Sequence, residues 1–212
     1  MTLINDSLIQ TVFAKFEKFQ AIPDEKEDVF TNWNFQDFQD KQYLNFTADR
    51  GDLYALSIMI ENYAVKHRAP LLAAFEEEGR FKYVEDRYVK IMRKVPKTWV
   101  IGNFNQTWIF SFKYKLSLLS DPFLAQNLPQ SVSVVSCIGT PLKTVWAVIT
   151  RNSNGPIGLV AEEIGDKKFR GFFSTKPEIV KYAVDTMGDV LVTEFDLMKA
   201  DYGFEKGETI TE

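Results

Sequence analysis

The chain has 212 residues, 45% of them hydrophobic, and its 25 basic and 29 acidic residues give a net charge of −4 at pH 7. This length and apolar content favour one compact domain with a substantial core. The acidic balance argues against binding to nucleic acid or to an anionic membrane surface, since basic patches mediate both.

Residues that carry chemistry are scarce. The chain has one histidine and one cysteine, so most metal sites and most base-activated hydrolytic sites are hard to assemble in one subunit, and we expect no metal site. The polar N-terminus MTLINDS lacks the basic-then-apolar order of a secretory signal. No apolar run approaches the roughly 20 residues that span a bilayer. We therefore expect a cytoplasmic protein.

The first predicted element is an amphipathic helix capped by Asn5 or Asp6. Its apolar residues recur at helical spacing: Leu8, Ile9, Val12, Phe13, Phe16 and Phe19. Residues 22–52 follow without a clear period, but they are rich in aromatic residues, which a disordered linker lacks. We expect this segment to pack over the domain or over a neighbouring subunit. Its candidate interface residues are Phe30, Trp33, Phe35 and Phe38.

Helical spacing predicts a helix over residues 53–68, and PLLAAF at residues 70–75 predicts a buried strand. A further helix is predicted from Phe81 to Met92, and WVIGNF at residues 99–104 predicts another strand. The order strand, helix, strand indicates a right-handed parallel crossover.

Residues 107–114, TWIFSFKY, alternate large aromatic side chains with others, and this period of two predicts a half-buried strand. Four extended runs follow at 132–138, 143–150, 157–164 and 168–174. The turn-forming RNSNGP and the pair Gly165-Asp166 predict that the last three runs form an antiparallel meander.

A capping box of Thr175 and Glu178, with Pro177 in the first turn, predicts a closing helix that ends at Gly188. Taken together, the elements predict an α/β fold. It is a single domain with a mixed sheet, an antiparallel C-terminal meander and flanking helices.

Two residues of reactive type have structural interpretations. His67 falls at the end of a predicted helix, where a cation complements the terminal carbonyl groups. Cys137 lies in a run that reads as a buried strand, where a thiol acts as a small inert hydrophobe.

Glu163 stands at the end of an apolar strand, so its carboxylate must be exposed or paired, and Arg87 or Arg170 is the expected partner. Trp146 and Phe169 could stack on a flat ligand. Packing in the core is the favoured interpretation of both aromatic residues.

Three stretches carry a resemblance to a known family: DLYALSIMIENYAVKHRAPLLAAFEEEGRFKYVEDRYVKIMRKVPKTWVIGNF, TVWAVITRNSNGPIGLVAEE and KKFRGFFSTKPEIV. They contain a helix with a Ser-x-x-x-Glu stretch, an apolar strand, a helix with an Arg-Tyr pair and a further strand. A strand with Trp, a strand that ends in Glu and a Phe-x-Gly strand before a helix complete the order. In this order the chain resembles the DICT sensory domain family over residues 52–191. Residues 1–51 then form an N-terminal helix and aromatic extension, and residues 192–212 an acidic tail.

The resemblance implies a sensory or regulatory module of bacterial signal transduction, found beside diguanylate cyclases and two-component proteins and linked to light responses. The resemblance does not extend to an output module, so we expect the protein to act in trans on a kinase, a cyclase or a transcription regulator, with a homodimer as a further contact. The resemblance settles no cofactor and no catalytic residue. The matching positions are candidates for binding a ligand or partner: Glu61, Arg87, Tyr88, Trp146, Glu163, Phe169 and Gly171.

Two other functions stay open from the sequence. One is a structural or adaptor protein whose aromatic N-terminal segment binds a partner or a second copy. The other is a small carboxylate-dependent enzyme, which would need Glu163 or another acid in a concave pocket with polar groups converging on it.

Overall fold

The computed structural model describes residues 7–26, 28–117 and 132–199. Their strands are β1 (Asp24–Glu25), β2 (Tyr43–Asp49), β3 (Leu71–Glu77), β4 (Thr98–Asn103), β5 (Val132–Ser136), β6 (Val145–Asn152), β7 (Gly155–Gly165) and β8 (Lys168–Ser174). Their α-helices are α1 (Leu8–Lys15), α2 (Glu17–Gln20), α3 (Val29–Asn32), α4 (Phe35–Lys41), α5 (Arg50–Lys66), α6 (Glu78–Met92), α7 (Gln106–Ser117) and α8 (Pro177–Leu191). A short 3-10 helix covers Pro141–Thr144. In the described ranges, no helix is long and apolar enough to cross a membrane.

All eight strands lie in one mixed sheet, in the order β1-β2-β8-β7-β6-β3-β4-β5. The pairs β3–β4 and β4–β5 are parallel, and α6 connects the first of them. The pairs β6–β7 and β7–β8 are antiparallel. The predicted α/β fold, its mixed sheet and its C-terminal meander are therefore confirmed.

Helices cover both faces of the sheet, and each face has its own core. On the first face, which we call the α5 face, α3 to α7 pack against the sheet. On the opposite face, the α8 face, α1, α2 and α8 do so. Strands buried on both faces need apolar side chains at successive positions, as in Leu71–Phe75, which is buried throughout.

One predicted strand is a helix. Residues 107–114 lie in α7, not in a strand. The aromatic residues alternate, but the buried side chains are Ile109, Phe112 and Leu116, three and four residues apart, whereas Phe110 is 76% exposed. Trp108 stacks on Phe112 with ring centroids 5.2 Å apart, one helical turn away. The buried residues therefore follow the period of a helix, and the alternation of aromatic residues does not indicate a strand here.

β2 is a strand that the sequence interpretation misses. It pairs along its whole length with β8, and β1 adds a short parallel pair on its other side. Leu44, Phe46 and Ala48 are buried on the α5 face, while Tyr43 is buried on the α8 face. The first three alternate with the polar Asn45, Thr47 and Asp49, so a period of two is present in the sequence, but it lies within a segment rich in aromatic residues.

Both predicted helix caps near the chain ends need correction. Ser7 caps α1, and its hydroxyl accepts from the Gln10 N–H; Asn5 and Asp6 lie outside the described residues. The Thr175 capping box is wrong, because Lys176 is the N-cap of α8 and makes no side-chain cap. Thr175 instead donates its backbone N–H to the Gln42 carbonyl, 2.9 Å away, which ties β8 to the start of β2.

The last helix also runs past its predicted end at Gly188, to Leu191. A Cβ on Gly188 would lie 2.6 Å from the Thr193 carbonyl oxygen. Glycine at this position therefore allows the chain after α8 to fold back across the helix.

Candidate functional site

A cavity of about 430 Å³ lies on the α5 face, between α5, α6 and the sheet. Its lining residues are Arg50, Gly51, Tyr54, Ser57, Glu61, Phe75, Arg80, Tyr83, Val84, Arg87, Trp146 and Val148. The floor comes from β3 and β6, and the two walls come from the helices. This volume is in the range of small-molecule sites in proteins.

The helical repeat explains which side chains reach the cavity. On α5, the residues Arg50, Tyr54, Ser57 and Glu61 are four, three and four positions apart, so they form one stripe beside the buried stripe of Leu53, Leu56 and Ile60. On α6, Arg80, Val84 and Arg87 repeat the same spacing. The cavity therefore lies between one side of α5 and one side of α6. The neighbouring side of each helix carries the apolar residues that pack in the core.

Glu61 is the most buried charged side chain of the cavity, with 2% of its surface exposed. The Tyr88 hydroxyl donates to Glu61 Oε1 at 2.7 Å, and Arg87 Nη2 donates to the same oxygen at 3.3 Å. Arg87 Nη1 also donates to the Tyr54 hydroxyl at 2.7 Å. The Glu61 carboxylate is therefore held in the wall of the cavity by donors from α6.

Burial raises the pKa of both Glu61 and Tyr88. It raises the pKa of the Glu61 carboxyl, and the Arg87 charge and the Tyr88 hydrogen bond oppose that rise. Burial, together with the Glu61 charge, also raises the pKa of the Tyr88 hydroxyl. Tyr88 is thus a permanent hydrogen-bond donor near neutral pH.

A second group of side chains lies around Arg50, at the N-terminus of α5. Arg50 Nη1 is 2.6 Å from Glu76 Oε2. The Arg50 guanidinium also lies over the rings of Trp146 and Phe169, 5.4 and 4.9 Å from their centroids. Trp146 Nε1 donates to Ser57 Oγ at 3.0 Å, which fixes the indole ring against α5.

The predicted partner of Glu163 is wrong. Arg87 pairs with Glu61, and Arg170 lies over the Phe13 ring on the opposite face of the sheet. Glu163 is instead within hydrogen-bonding reach of the Glu76 carboxyl. The pKa of Glu76 is raised by burial, lowered by its bonds to Arg50 and raised further by Glu163.

Six of the seven candidate residues lie in or beside the cavity. Glu61, Arg87 and Trp146 line the cavity, and Tyr88 and Phe169 lie directly behind them through the contacts above. Glu163 reaches the neighbouring Arg50–Glu76 pair.

Gly171 does not line the cavity. A Cβ on this residue would lie 2.3 Å from the Val160 carbonyl oxygen of β7. The close approach of these two strands accounts for glycine at this position.

Nine of the twelve lining residues were not among the candidates: Arg50, Gly51, Tyr54, Ser57, Phe75, Arg80, Tyr83, Val84 and Val148. Five of the nine lie three, four or seven positions from Glu61 or Arg87 on the same helix, namely Tyr54, Ser57, Arg80, Tyr83 and Val84. Helical spacing from Glu61 and Arg87 is therefore the signal by which those five could be found.

The four candidate interface aromatics pack inside the protein. Phe30 and Phe38 are buried, and their rings lie 5.4 Å from Phe46 and 5.5 Å from Phe173. Trp33 and Phe35 are partly buried and pack on the same core. This arrangement matches the first of the two expectations for the segment, packing over its own domain.

His67 lies where the sequence places it, whereas Cys137 is buried as expected but follows the strand instead of lying in it. His67 is the exposed C-cap residue of α5, and its ring lies 4.2 Å from that of Tyr63. Cys137 is buried just after β5, and burial raises the pKa of its thiol to about 11. Among the residues that the structure describes, no three His, Cys, Asp or Glu side chains are grouped so as to hold a metal ion.

Three larger concavities lack a buried polar side chain. One, of about 800 Å³, lies between α8 and residues 192–198; its charged lining residues, such as Lys181 and Asp185, are exposed. Another, of about 590 Å³, is a groove lined by amide, hydroxyl and charged side chains around Gln42 and Asn152. The third, of about 540 Å³, lies along α7, and its polar lining residues, such as Gln106 and Lys113, are exposed. The cavity beside Glu61 is therefore the best-formed candidate site.

Comparisons with protein-family models, with curated proteins and with solved structures gave no match to this chain.

Proposed function

We propose that the protein is a non-enzymatic regulatory module of the cytoplasm that binds a small molecule in the cavity between α5 and α6. The observation that carries the proposal is the buried Glu61 carboxylate, which lies in the wall of the cavity and is held there by Tyr88 and Arg87. Buried polar groups that converge on an apolar cavity are typical of ligand sites.

Binding would be signalled through the two helices. α5 packs mainly on β6, whereas α6 packs on β3 and β4, so the helices rest on different strands and meet across the cavity. A ligand that touches both helices favours one spacing between them and shifts the equilibrium towards it. Tyr54 and Tyr83, at 41% and 88% exposure, then change the surface that a partner meets.

The resemblance to the DICT sensory domain family supports the same proposal. Three of the seven candidate residues from this resemblance, Glu61, Arg87 and Trp146, line the cavity. On this resemblance the partner is a signalling protein in trans: a kinase, a cyclase or a transcription regulator. The adaptor alternative has less support, because Phe30 and Phe38 are buried in the protein's own core.

A small carboxylate-dependent enzyme is the second candidate function. Glu61 meets its requirement of an acid in a concave pocket, and a carboxyl with a raised pKa suits general acid–base catalysis. Turnover of a metabolite that co-purifies with the protein, abolished in Glu61→Gln, would favour this function over regulation.

The test of the regulatory proposal is identification of what the native protein retains. Native mass spectrometry and solvent extraction of the purified protein should detect one retained small molecule. Val84→Phe fills the cavity from α6 and should abolish retention, because Val84 lines the cavity and is 7% exposed. Val89→Phe, on the same helix but outside the cavity, is the control and should retain the molecule. Retention that is equal in both variants would contradict the proposal.

A further inference from the structure

Two of the three arginine side chains that line the cavity are paired with buried carboxylates. Arg50 donates two hydrogen bonds to Glu76, through Nη1 at 2.6 Å and Nη2 at 3.3 Å. Arg87 donates to Glu61 through Nη2 at 3.3 Å. Since Glu76 and Glu61 are both buried, these two pairs leave no net charge for a ligand.

Arg80, the third arginine of the lining, has no comparable partner. Its Nε lies 3.4 Å from Glu77 Oε1 but makes no hydrogen bond. The Glu77 side chain is 57% exposed, so water screens this contact. The Nη atoms of Arg80 donate to none of the described residues either, and they are not buried as Nε is. One positive charge of the lining therefore remains available to a ligand.

The Tyr54 hydroxyl offers a second donor. Its oxygen accepts from Arg87 Nη1 at 2.7 Å, and within the described part of the chain nothing accepts from its O–H. A hydroxyl has one proton to donate, and the arginine N–H directs that proton away from Arg87. Glu61 holds Arg87 in place for this contact. Donors are therefore presented from both helices, by Tyr54 on α5 and by Arg80 on α6.

The rest of the lining is apolar or already paired. Phe75, Val84, Trp146 and Val148 are each buried and line the cavity. The Glu61 carboxylate is no acceptor for a ligand, because it is buried and lies 2.9 Å from Arg87 Nε. The lining thus combines accessible donors and one uncompensated positive charge with an apolar floor.

We infer that the ligand of this cavity is an organic monocarboxylate with an apolar body. The carboxylate accepts from Arg80, whose forked N–H groups match its two oxygens, and from Tyr54. The apolar body packs on Trp146 and Val148. A dianion, such as a dicarboxylate or a phosphate monoester, would bring a second charge that no remaining cation of the lining compensates. The inference rests on the proposed function and specifies the chemical class of its ligand.

Two matched probes are 1-naphthylacetate and 1-naphthylacetamide, which share the ring and the linker and differ in the charge of the head group. Calorimetric titration of the full chain at pH 7 should show the acetate binding about tenfold more tightly or better, because hydrogen bonds to a charged group are the stronger ones. Equal affinities, or tighter binding of the amide, would overturn the inference.

Arg80→Gln tests whether this guanidinium selects the carboxylate. The variant should bind the acetate about tenfold more weakly or worse and the amide within about threefold of the wild type. Lys82→Gln is the control, since it makes the same change in net charge on the same helix but lies outside the lining and pairs with Glu78. It should leave both affinities unchanged. A preference for the acetate that persists in Arg80→Gln, or an equal loss in Lys82→Gln, would overturn the role of Arg80.

Tyr54→Phe removes the second donor and keeps the ring. It should weaken binding of the acetate about fivefold and leave that of the amide nearly unchanged. Unchanged affinity for the acetate would overturn the part assigned to Tyr54.

The charge of what binds separates this inference from the proposed function. Preference for the amide or for the cation 2-(1-naphthyl)ethylamine, lost in Val84→Phe, would overturn the anionic class and leave the cavity as a ligand site. A small molecule retained by the native protein should likewise be an organic acid, and a neutral or cationic one would overturn the inference alone. If no probe binds and the native protein retains no small molecule, the proposed function fails as well.

Discussion

Glu61 and Tyr88 illustrate how single residues determine the character of the site. A carboxylate with 2% exposure is tolerated because a phenol and a guanidinium from the next helix compensate for its lost hydration. Tyr88 is itself fully buried, so its hydroxyl has few other partners. The two residues form one unit and should respond together to substitution.

Tyr88→Phe removes the hydroxyl that donates to Glu61 Oε1. We expect the free energy of unfolding to fall by about 1.5–3 kcal/mol, the range for a hydrogen bond to a charged group. Urea denaturation monitored by tryptophan fluorescence measures this change. Tyr83→Phe on the same helix, where the ring is 88% exposed, should change stability little. A similar loss in both variants would contradict the role of the hydrogen bond.

Glu61→Gln should change how stability depends on pH. The folded-state pKa of Glu61 is raised above its ordinary value of 4.5, so the folded protein binds this proton more tightly than the unfolded chain. The stability that Glu61 contributes is therefore largest below pH 4.5 and is lost as pH rises through the raised pKa. The unfolding free energy of the wild type minus that of Glu61→Gln should accordingly decrease with rising pH in that window.

Thermal and urea unfolding at a series of pH values from 4 to 8 would measure this difference. Glu178→Gln replaces an exposed carboxyl in the first turn of α8 and should show no comparable trend. A difference between wild type and Glu61→Gln that grows with pH would contradict the direction of the shift.

At the scale of elements, long-range contacts decide where α1 lies. The carboxylate of Glu162, on β7, accepts from the backbone N–H groups of Leu8 and Ile9 at 2.7 and 3.2 Å, and from the Ser7 hydroxyl. These N–H groups belong to the first turn of α1 and have no partner within the helix. A side chain more than 150 residues away thus provides the cap and fastens the helix to the sheet.

Glu162→Ala should release the first turn of α1. We expect a loss of about 1–3 kcal/mol, because two backbone donors lose a charged acceptor, and faster hydrogen exchange at the amides of Leu8 and Ile9. Glu163→Ala is the control, since adjacent strand residues point to opposite faces of the sheet and Glu163 lies on the α5 face. Unchanged exchange in α1 of Glu162→Ala would contradict the contact.

At the scale of the whole molecule, β2 joins the N-terminal segment to the sheet. It pairs with β8 over seven residues, and β8 pairs in turn with β7. α5 then leads from β2 to β3, which is separated from β2 in the sheet by three strands, β8, β7 and β6. The cavity wall formed by α5 therefore depends on the pairing of β2 with β8.

Gly171→Ala tests this central part of the sheet. The added methyl group would lie 2.3 Å from the Val160 carbonyl oxygen and 2.7 Å from the Ala161 Cα. Such overpacking against backbone should lower the unfolding free energy by about 3 kcal/mol or more, which circular dichroism during denaturation measures. Gly79→Ala, an exposed position of α6 with no atom closer than 3.9 Å to the added Cβ, should keep or slightly raise stability. A stable Gly171→Ala variant would refute this packing argument.

Local pattern and chain order predict much of this architecture. The runs at residues 70–75 and 99–104 and the closing meander follow from short apolar stretches bounded by turn residues, and the structure confirms them as strands. Patterns mislead where two periods compete, as in α7, and the short alternation of β2 is easily missed within its aromatic-rich segment. In α7 the alternating aromatic residues do not pair with a strand. Instead, Phe112 and Trp108, one helical turn apart, pack on Phe81 and Phe104.

The amino-acid sequence by itself determined the fold class, the order of most elements and the residue types that could form a site. Only the tertiary structure decided which of them meet. The contact of Glu61 with Tyr88, the pairing of Arg50 with Glu76 and the fastening of α1 by Glu162 each join residues at least 26 positions apart. Spacing along the chain specifies the face of a helix or strand, but it does not specify which face of another element lies opposite. That choice is made by the packing of the complete core.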